Sequence, residues 1–440
     1  MGAKEFLLQE CDNLKEVLEE TLRYEYGIEG SREFYEECEV RLDYITQELR
    51  STHANDHIQL VANCRLLEDL SALISRIERS SLGEYSWSFV EELKRIAVPV
   101  CAEATLKNSN SPPKIHVLSD GGLGAYSIFP EPNRPSASNK RILTIVFPRT
   151  LKHFVLLHSI LGHEIGHAIW RNSKHQNRLR KIFNDTLINT GGKFSSANAT
   201  ADWIYDPAAP PEVVNYLATL GQVGVTKSNF FQWADWEAWK EEILCDLIGL
   251  LTFGPSFVAA HSQLLYALSP SGVGFGDEHP PVAARVNFIL LGAKLLKYDS
   301  ENLPIAPYNS IAVNFWVNLH SMAKTDPWYD LFDQSQLESA LKEIGKLLNE
   351  YPPAHYQHPV SENITELVEQ LLNKIPPIGH KVGADKLPRC YNVDFRHILY
   401  AGWIGTEHNS KIPFQKINRL CEHAIMQQRG IDLYLTGGSL

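Results

Sequence analysis

Apolar residues recur at helical spacing through the first hundred positions. Leu14, Val17, Leu18 and Leu22 form one stripe, and Leu60, Val61, Cys64, Leu67, Leu70 and Leu73 another. Glycine- and serine-rich breaks near 27–31 and 80–83 separate these helices. A polar run at 108–113 ends the helical texture, and three β-branched and aromatic runs follow at 115–118, 124–129 and 141–147. Helical patterning resumes at 153–170, 230–253, 256–269 and 281–296. A mostly helical tail then carries amphipathic segments at 336–350 and 364–374. The pattern predicts a predominantly α-helical α+β chain. Its parts are a helical domain at 1–107, a core with a small β-sheet at 108–300, and a mostly helical region at 301–440.

Composition narrows this picture only a little. A chain of 440 residues exceeds what one compact core serves, and 44% hydrophobic residues supply ample core. The net charge of −11 is spread along the chain, which argues against nucleic acid and anionic membrane as partners. No stretch reaches the apolar length of a membrane span, and the first residues lack the build of a signal peptide. Seven scattered cysteines, none in a C-x-x-C pair, fit reduced thiols. The expectation is a cytoplasmic protein without integral membrane association.

The chemistry is concentrated in one helix. His163-Glu164-Ile165-Gly166-His167 is an H-E-x-x-H sequence. Positions four apart share a helix face, so both imidazoles can address one metal ion, and Glu164 stands where its carboxylate reaches water rather than the metal. The motif lies among Phe154, Val155, Leu156, Leu157, Ile160, Leu161, Ile165 and Ile169, where two histidines and a glutamate need partners. A metzincin would have Gly at 170 and His at 173; this chain has Trp170 and Ser173. The third ligand is therefore expected from a second helix. Glu242 and Asp246, four apart in an apolar run, suit a zinc ligand and an acceptor for a histidine ring N–H. Glu241 faces about 100° away on that helix and suits the ligand role less.

H-E-x-x-H followed by E-x-x-x-D resembles the gluzincin metallopeptidases. His279-Pro280-Pro281-Val282-Ala283-Ala284-Arg285 is similar to the H-P-P-x-x-x-R segment of the M48 (Ste24/HtpX-like) family, where it also follows the third-ligand helix. The resemblance covers roughly residues 110–300 and implies a zincin-like core. It also implies that His279 and Arg285 line the active site and help bind substrate or oxyanion. The run from Gly124 through Ala125 and Tyr126 to Ser127 resembles the family's substrate-pairing edge strand. The transmembrane helices of the membrane-embedded members have no counterpart in this chain, and 1–105 and 300–440 match no known pattern.

Together these readings predict a zinc metalloendopeptidase with one Zn2+ per chain. His163, His167 and Glu242 are its expected ligands, Glu164 its general base, and a protein or peptide its substrate. The helical flanks are expected to gate access or recruit a regulatory partner. The alternative is a catalytically inactive, regulatory zinc-binding protein that keeps the peptidase fold; hydrolysis of a non-peptide amide is a third reading. Trp233, Trp236 and Trp239 are read as core packing, Cys245 as a small buried hydrophobe, and His153, His158 and His175 as non-ligands. The polar stretch 190–200 is read as an exposed loop or lid.

Overall fold

The computed structural model describes residues 2–21, 31–81, 85–105, 114–119, 121–122, 125–130, 142–170, 175, 177–181, 235–269, 278–323, 337–382, 388–390, 393–408 and 412–435. The stretch 190–200 lies outside them. The chain divides into two compact units: residues 1–85 with 101–152, and residues 86–100 with 153–440.

The first unit packs helices α1 (Ala3–Thr21), α2 (Ser31–Ser51) and α3 (His57–Ser81) together. Their apolar stripes meet through Cys11, Leu18, Phe34, Leu42, Leu49, Leu67 and Ile74. Val17 and Val61, on the rims of those stripes, are exposed. A three-stranded sheet joins them, in the order β1 (Lys114–Ser119), β3 (Ile142–Phe147), β2 (Ser127–Pro130). β1 runs parallel and β2 antiparallel to β3. Residues 143–147 of the central strand are buried whichever way they point, which explains why its run is apolar except at Thr144. Leu118 and Val146 enter the helical core, so the sheet belongs to the N-terminal helices. The expected boundary at 107/108 had placed it with the H-E-x-x-H helix instead.

His116 on β1 gives this unit an acid sensitivity. It is buried, stacks on Phe34 with centroids 4.2 Å apart, and leaves Nδ1 without a partner. Burial lowers its pKa from 6.5 to about 3. The unfolded chain therefore takes up a proton that the folded chain refuses, and stability present above pH 6.5 is lost as pH falls toward 3. His116→Phe keeps the ring stack and removes the titration. At pH 5, wild type is expected to lose about 2 kcal/mol more than this variant, relative to pH 7.5. Denaturant unfolding at both pH values checks this; parallel losses would contradict it.

The second unit is helical. It holds the first turns of α4 (Trp87–Thr105), a 3-10 turn at Leu157–Ile160, and α5 (Leu161–Trp170). After these come α6 (Trp236–Phe253), α7 (Pro255–Leu268), α8 (Val282–Leu295), α9 (Asn309–Met322), α10 (Leu337–Leu348) and α11 (Ser361–Leu372). A hairpin of β4 (His380–Val382) and β5 (Pro388–Cys390) precedes α12 (Phe395–Glu407) and α13 (Phe414–Leu435). The expected single helix over 153–170 begins instead with turns, because side chains take up the backbone groups there. The Asn418 amide accepts from Leu156 N and donates to His153 O, and Trp403 Nε1 donates to Leu156 O. Both partners come from the C-terminal helices. Arg396, held by Asp394, also donates from Nη1 to Thr252 O near the end of α6, at 2.7 Å. Residues 301–440 are thus built into the same unit as α5 to α8. Among the described residues, no helix is long and apolar enough to cross a membrane.

Candidate metal centre

Two glycines on α5 set the geometry. A Cβ added at Gly166 would lie 2.5 Å from Cys245 Cα, and one at Gly162 would lie 2.9 Å from Gly249 Cα. The backbones of α5 and α6 therefore nearly touch, with Gly162 and Gly166 facing Cys245 and Gly249. Asp235 caps α6 by accepting from Glu237 N and Ala238 N. This close crossing lets the short side chains of both helices converge.

His163 Nε2 lies 3.4 Å from Glu242 Oε2, and His167 Nε2 lies 3.4 Å from Glu242 Oε1. The two rings stand edge to face with centroids 4.8 Å apart. Zinc bonds of about 2.0–2.1 Å at tetrahedral angles place donor atoms about 3.3–3.4 Å apart, and each Nε2–Glu242 contact has that spacing. The other face of each ring is held as well. His163 Nδ1 donates to Asp246 Oδ1 at 2.8 Å, and His167 Nδ1 donates to Glu241 Oε1 at 2.7 Å. Each bond holds a proton on Nδ1 and turns Nε2 toward Glu242.

The charged groups of this cluster shift one another strongly. Burial opposes charge on His163, yet Glu242 and Asp246 outweigh it and hold its pKa well above the ordinary imidazole range. Burial likewise opposes charge on Glu242, but His163 and Arg285 hold its carboxylate well below the usual range. The carboxylates thus stabilise positive charge on the His163 ring, and His163 and Arg285 stabilise negative charge on Glu242.

Two triplets bring ligand-type atoms within 4.8 Å of one another, and neither includes Glu242: His163-His167-Cys245 and His163-Asp246-His261. Neither suits the ion as well. Cys245 sits in the helix contact beneath Gly166, and burial, with nearby carboxylates, pushes its thiol well above the ordinary range. Asp246 is occupied: Arg285 Nε donates to Oδ2 and Nη2 to Oδ1, both at 2.8 Å. Arg285 thus takes both oxygens of Asp246, whereas it reaches Glu242 through Oε2 alone.

The H-P-P-x-x-x-R segment divides between the mouth and the back of the site. His279 is 58% exposed, with Nε2 3.8 Å from Glu242 Oε1. Arg285, in the first turn of α8, is buried, and its Nη1 lies 3.1 Å from Glu242 Oε2. All three guanidinium nitrogens thus face Asp246 or Glu242. That corrects the expectation of an oxyanion-binding Arg285: it positions two carboxylates instead. Glu164 is half-buried on α5, next to the first histidine.

The edge-strand reading also shifts. The ladder of β2 begins at Ser127, after Ala125 and Tyr126, and Gly124 lies outside the described residues. Tyr126 is buried, which raises its phenol pKa, so its side chain belongs to the packing of the first unit. Among the remaining aromatic and histidine residues, Trp239 is fully buried in the core and Trp233 lies outside the described residues. His153 pairs with Glu422, His158 is buried near Phe89, and His175 pairs with Tyr351.

Sequence reasoning missed Glu241 as the partner of His167. Two histidines whose Nδ1 groups each need an acceptor, opposite adjacent carboxylates, are the signal that could have found it. Compared with known proteins, the chain matches no family model, no curated protein and no solved structure.

Proposed function

We propose that the chain is a zinc-dependent endopeptidase. His163, His167 and Glu242 hold one Zn2+, and a protein or peptide is the substrate. The observation that carries this reading is the pair of 3.4 Å contacts between the histidine Nε2 atoms and the Glu242 carboxylate, with Asp246 and Glu241 behind the rings. Two His and one Glu are three protein ligands, which leaves room for reactants, as in catalytic rather than structural zinc sites. The M48 resemblance and its zincin-like core belong to the same proposal.

When bound, zinc supplies Lewis acidity that polarises a carbonyl and acidifies water. The protein's part falls to its side chains. Glu164 accepts a proton from the attacking water and passes it to the leaving amine, so one carboxylate serves as base and then acid. Asp246 and Glu241 hold the imidazole rings in one tautomer and orientation. Arg285 neutralises the buried charge of Asp246 and Glu242 and keeps both in place. His279, exposed beside Glu242, is the group placed to donate to substrate oxygen.

The test is hydrolysis of an unfolded general substrate, such as denatured casein, by the full chain. Cleavage is expected with zinc, is expected to stop with chelator, and is expected to return when zinc is restored. A zinc-loaded chain that cleaves no peptide bond would contradict the proposal.

A further inference from the structure

We propose that His261 is a positioning residue of this metal centre: it holds Asp246 so that His163 presents Nε2 to the metal. The inference rests on reading His163, His167 and Glu242 as the ligands. His261 lies on α7, in the apolar run Pro255–Leu268, and is 3% exposed. Its Nε2 is 2.8 Å from Asp246 Oδ1, the oxygen that also accepts from His163 Nδ1 and Arg285 Nη2.

The tautomer follows from that distance. An N···O separation of 2.8 Å between two unprotonated acceptors is repulsive, so Nε2 carries the hydrogen and donates it to Asp246. Arg285 Nη2 lies 3.3 Å from the same nitrogen and donates to the same carboxylate oxygen at the shorter distance of 2.8 Å. Nδ1 of His261 is left without a hydrogen-bond partner in the interior. A buried imidazole with one orphan nitrogen is costly where a leucine would pack. The bond to Asp246 offsets that cost.

The ring stacks give the arrangement stiffness. His261 stacks on Phe257 on its own helix, with centroids 4.8 Å apart, and against His163, at 5.3 Å with an interplanar angle of 23°. Asp246 is therefore held from three helices: by His163 on α5, His261 on α7 and Arg285 on α8. Arg285 fixes the plane of the carboxylate through both oxygens. His261 adds a second donor to Oδ1 and a wall beside the His163 ring, so that the imidazole cannot swing while Oδ1 keeps its bond. Losing this hold would let His163 turn away from the Glu242 side without dismantling any ligand.

Zinc affinity of the full chain, measured by competition with a chromophoric chelator, tests this. His261→Phe keeps the ring stack and deletes the donor; about tenfold weaker zinc binding is expected, at the low end of such supporting groups. His261→Asn, a side chain that stops short of Asp246, is expected to lose as much without added bulk. His261→Gln, whose amide can reach the carboxylate, is expected to restore most of the affinity. In an Asp246→Asn background, His261→Phe is expected to add almost nothing, because both changes break one link. A purely structural role would not produce that non-additivity.

Circular dichroism of the metal-free variants separates a weak site from lost folding. Wild-type affinity in a folded His261→Phe variant overturns the proposal. So does a His261→Gln loss as large as that of His261→Phe, or a full further loss in the Asp246→Asn background. A wild-type chain that takes up no zinc overturns the ligand reading, and this inference with it.

Discussion

Glu164→Gln is expected to abolish measurable peptide hydrolysis while the chain still takes up its zinc. The change is nearly isosteric and removes no ligand, because the metal is assigned to His163, His167 and Glu242. It replaces a carboxylate that can accept a proton with an amide that cannot. Positioned proton transfer contributes about 10²–10⁴-fold, and here the same group acts twice in one turnover, so a loss at the upper end is expected. The side chain is half-buried on α5, and glutamine keeps its size. Rates of casein cleavage by zinc-loaded wild type and variant provide the comparison, with zinc content measured on the same samples. Equal rates would remove Glu164 from the chemistry. Lost zinc would mean that it supports the metal instead.

Much of the site was legible because helix periodicity is a local rule. His163 and His167, and Glu242 and Asp246, are each four apart, and that spacing alone puts each pair on one face. The facing of the two helices was legible only in part. Gly162 and Gly166 stand in the motif and Gly249 stands in the partner run, but small residues announce a close contact without naming what they touch. Glu241 was set aside because its backbone direction differs from that of Glu242. The structure shows His167 reaching it with the ring nitrogen that faces away from Glu242, 2.7 Å from its carboxylate. Arg285 was legible as a site residue and misread as a substrate-facing one. Nothing in the spacing of H-P-P-x-x-x-R tells whether the first turn of α8 faces the mouth or the back of the site.

Elements were easier than their assembly. Helices and strands fell close to their expected ranges, since each reflects its own pattern of burial. The partners of the sheet did not: β3 is apolar on both faces, and that pattern is satisfied equally by the N-terminal helices or by a zinc-helix core. The turns at 153–156 depend on Asn418 and Trp403, far along the chain, and no local signal carries them.

Glu242→Ala is expected to have the largest effect on the metal. It removes one of three proposed ligands and leaves Arg285 beside the two histidines, so a guanidinium would face the ion where a carboxylate had balanced it. Glu241→Ala removes the acceptor behind His167. Losses of that kind are about 10–100-fold in affinity, which still permits binding when zinc is supplied in excess. Elemental analysis of wild type, Glu242→Ala and Glu241→Ala, each folded, loaded with zinc and desalted, separates the two roles in one measurement. The proposed centre requires about one zinc per wild-type chain, almost none in Glu242→Ala, and substantial zinc in Glu241→Ala. A wild type without zinc, or a Glu242→Ala variant that keeps it as well as Glu241→Ala does, would contradict the assignment of this centre.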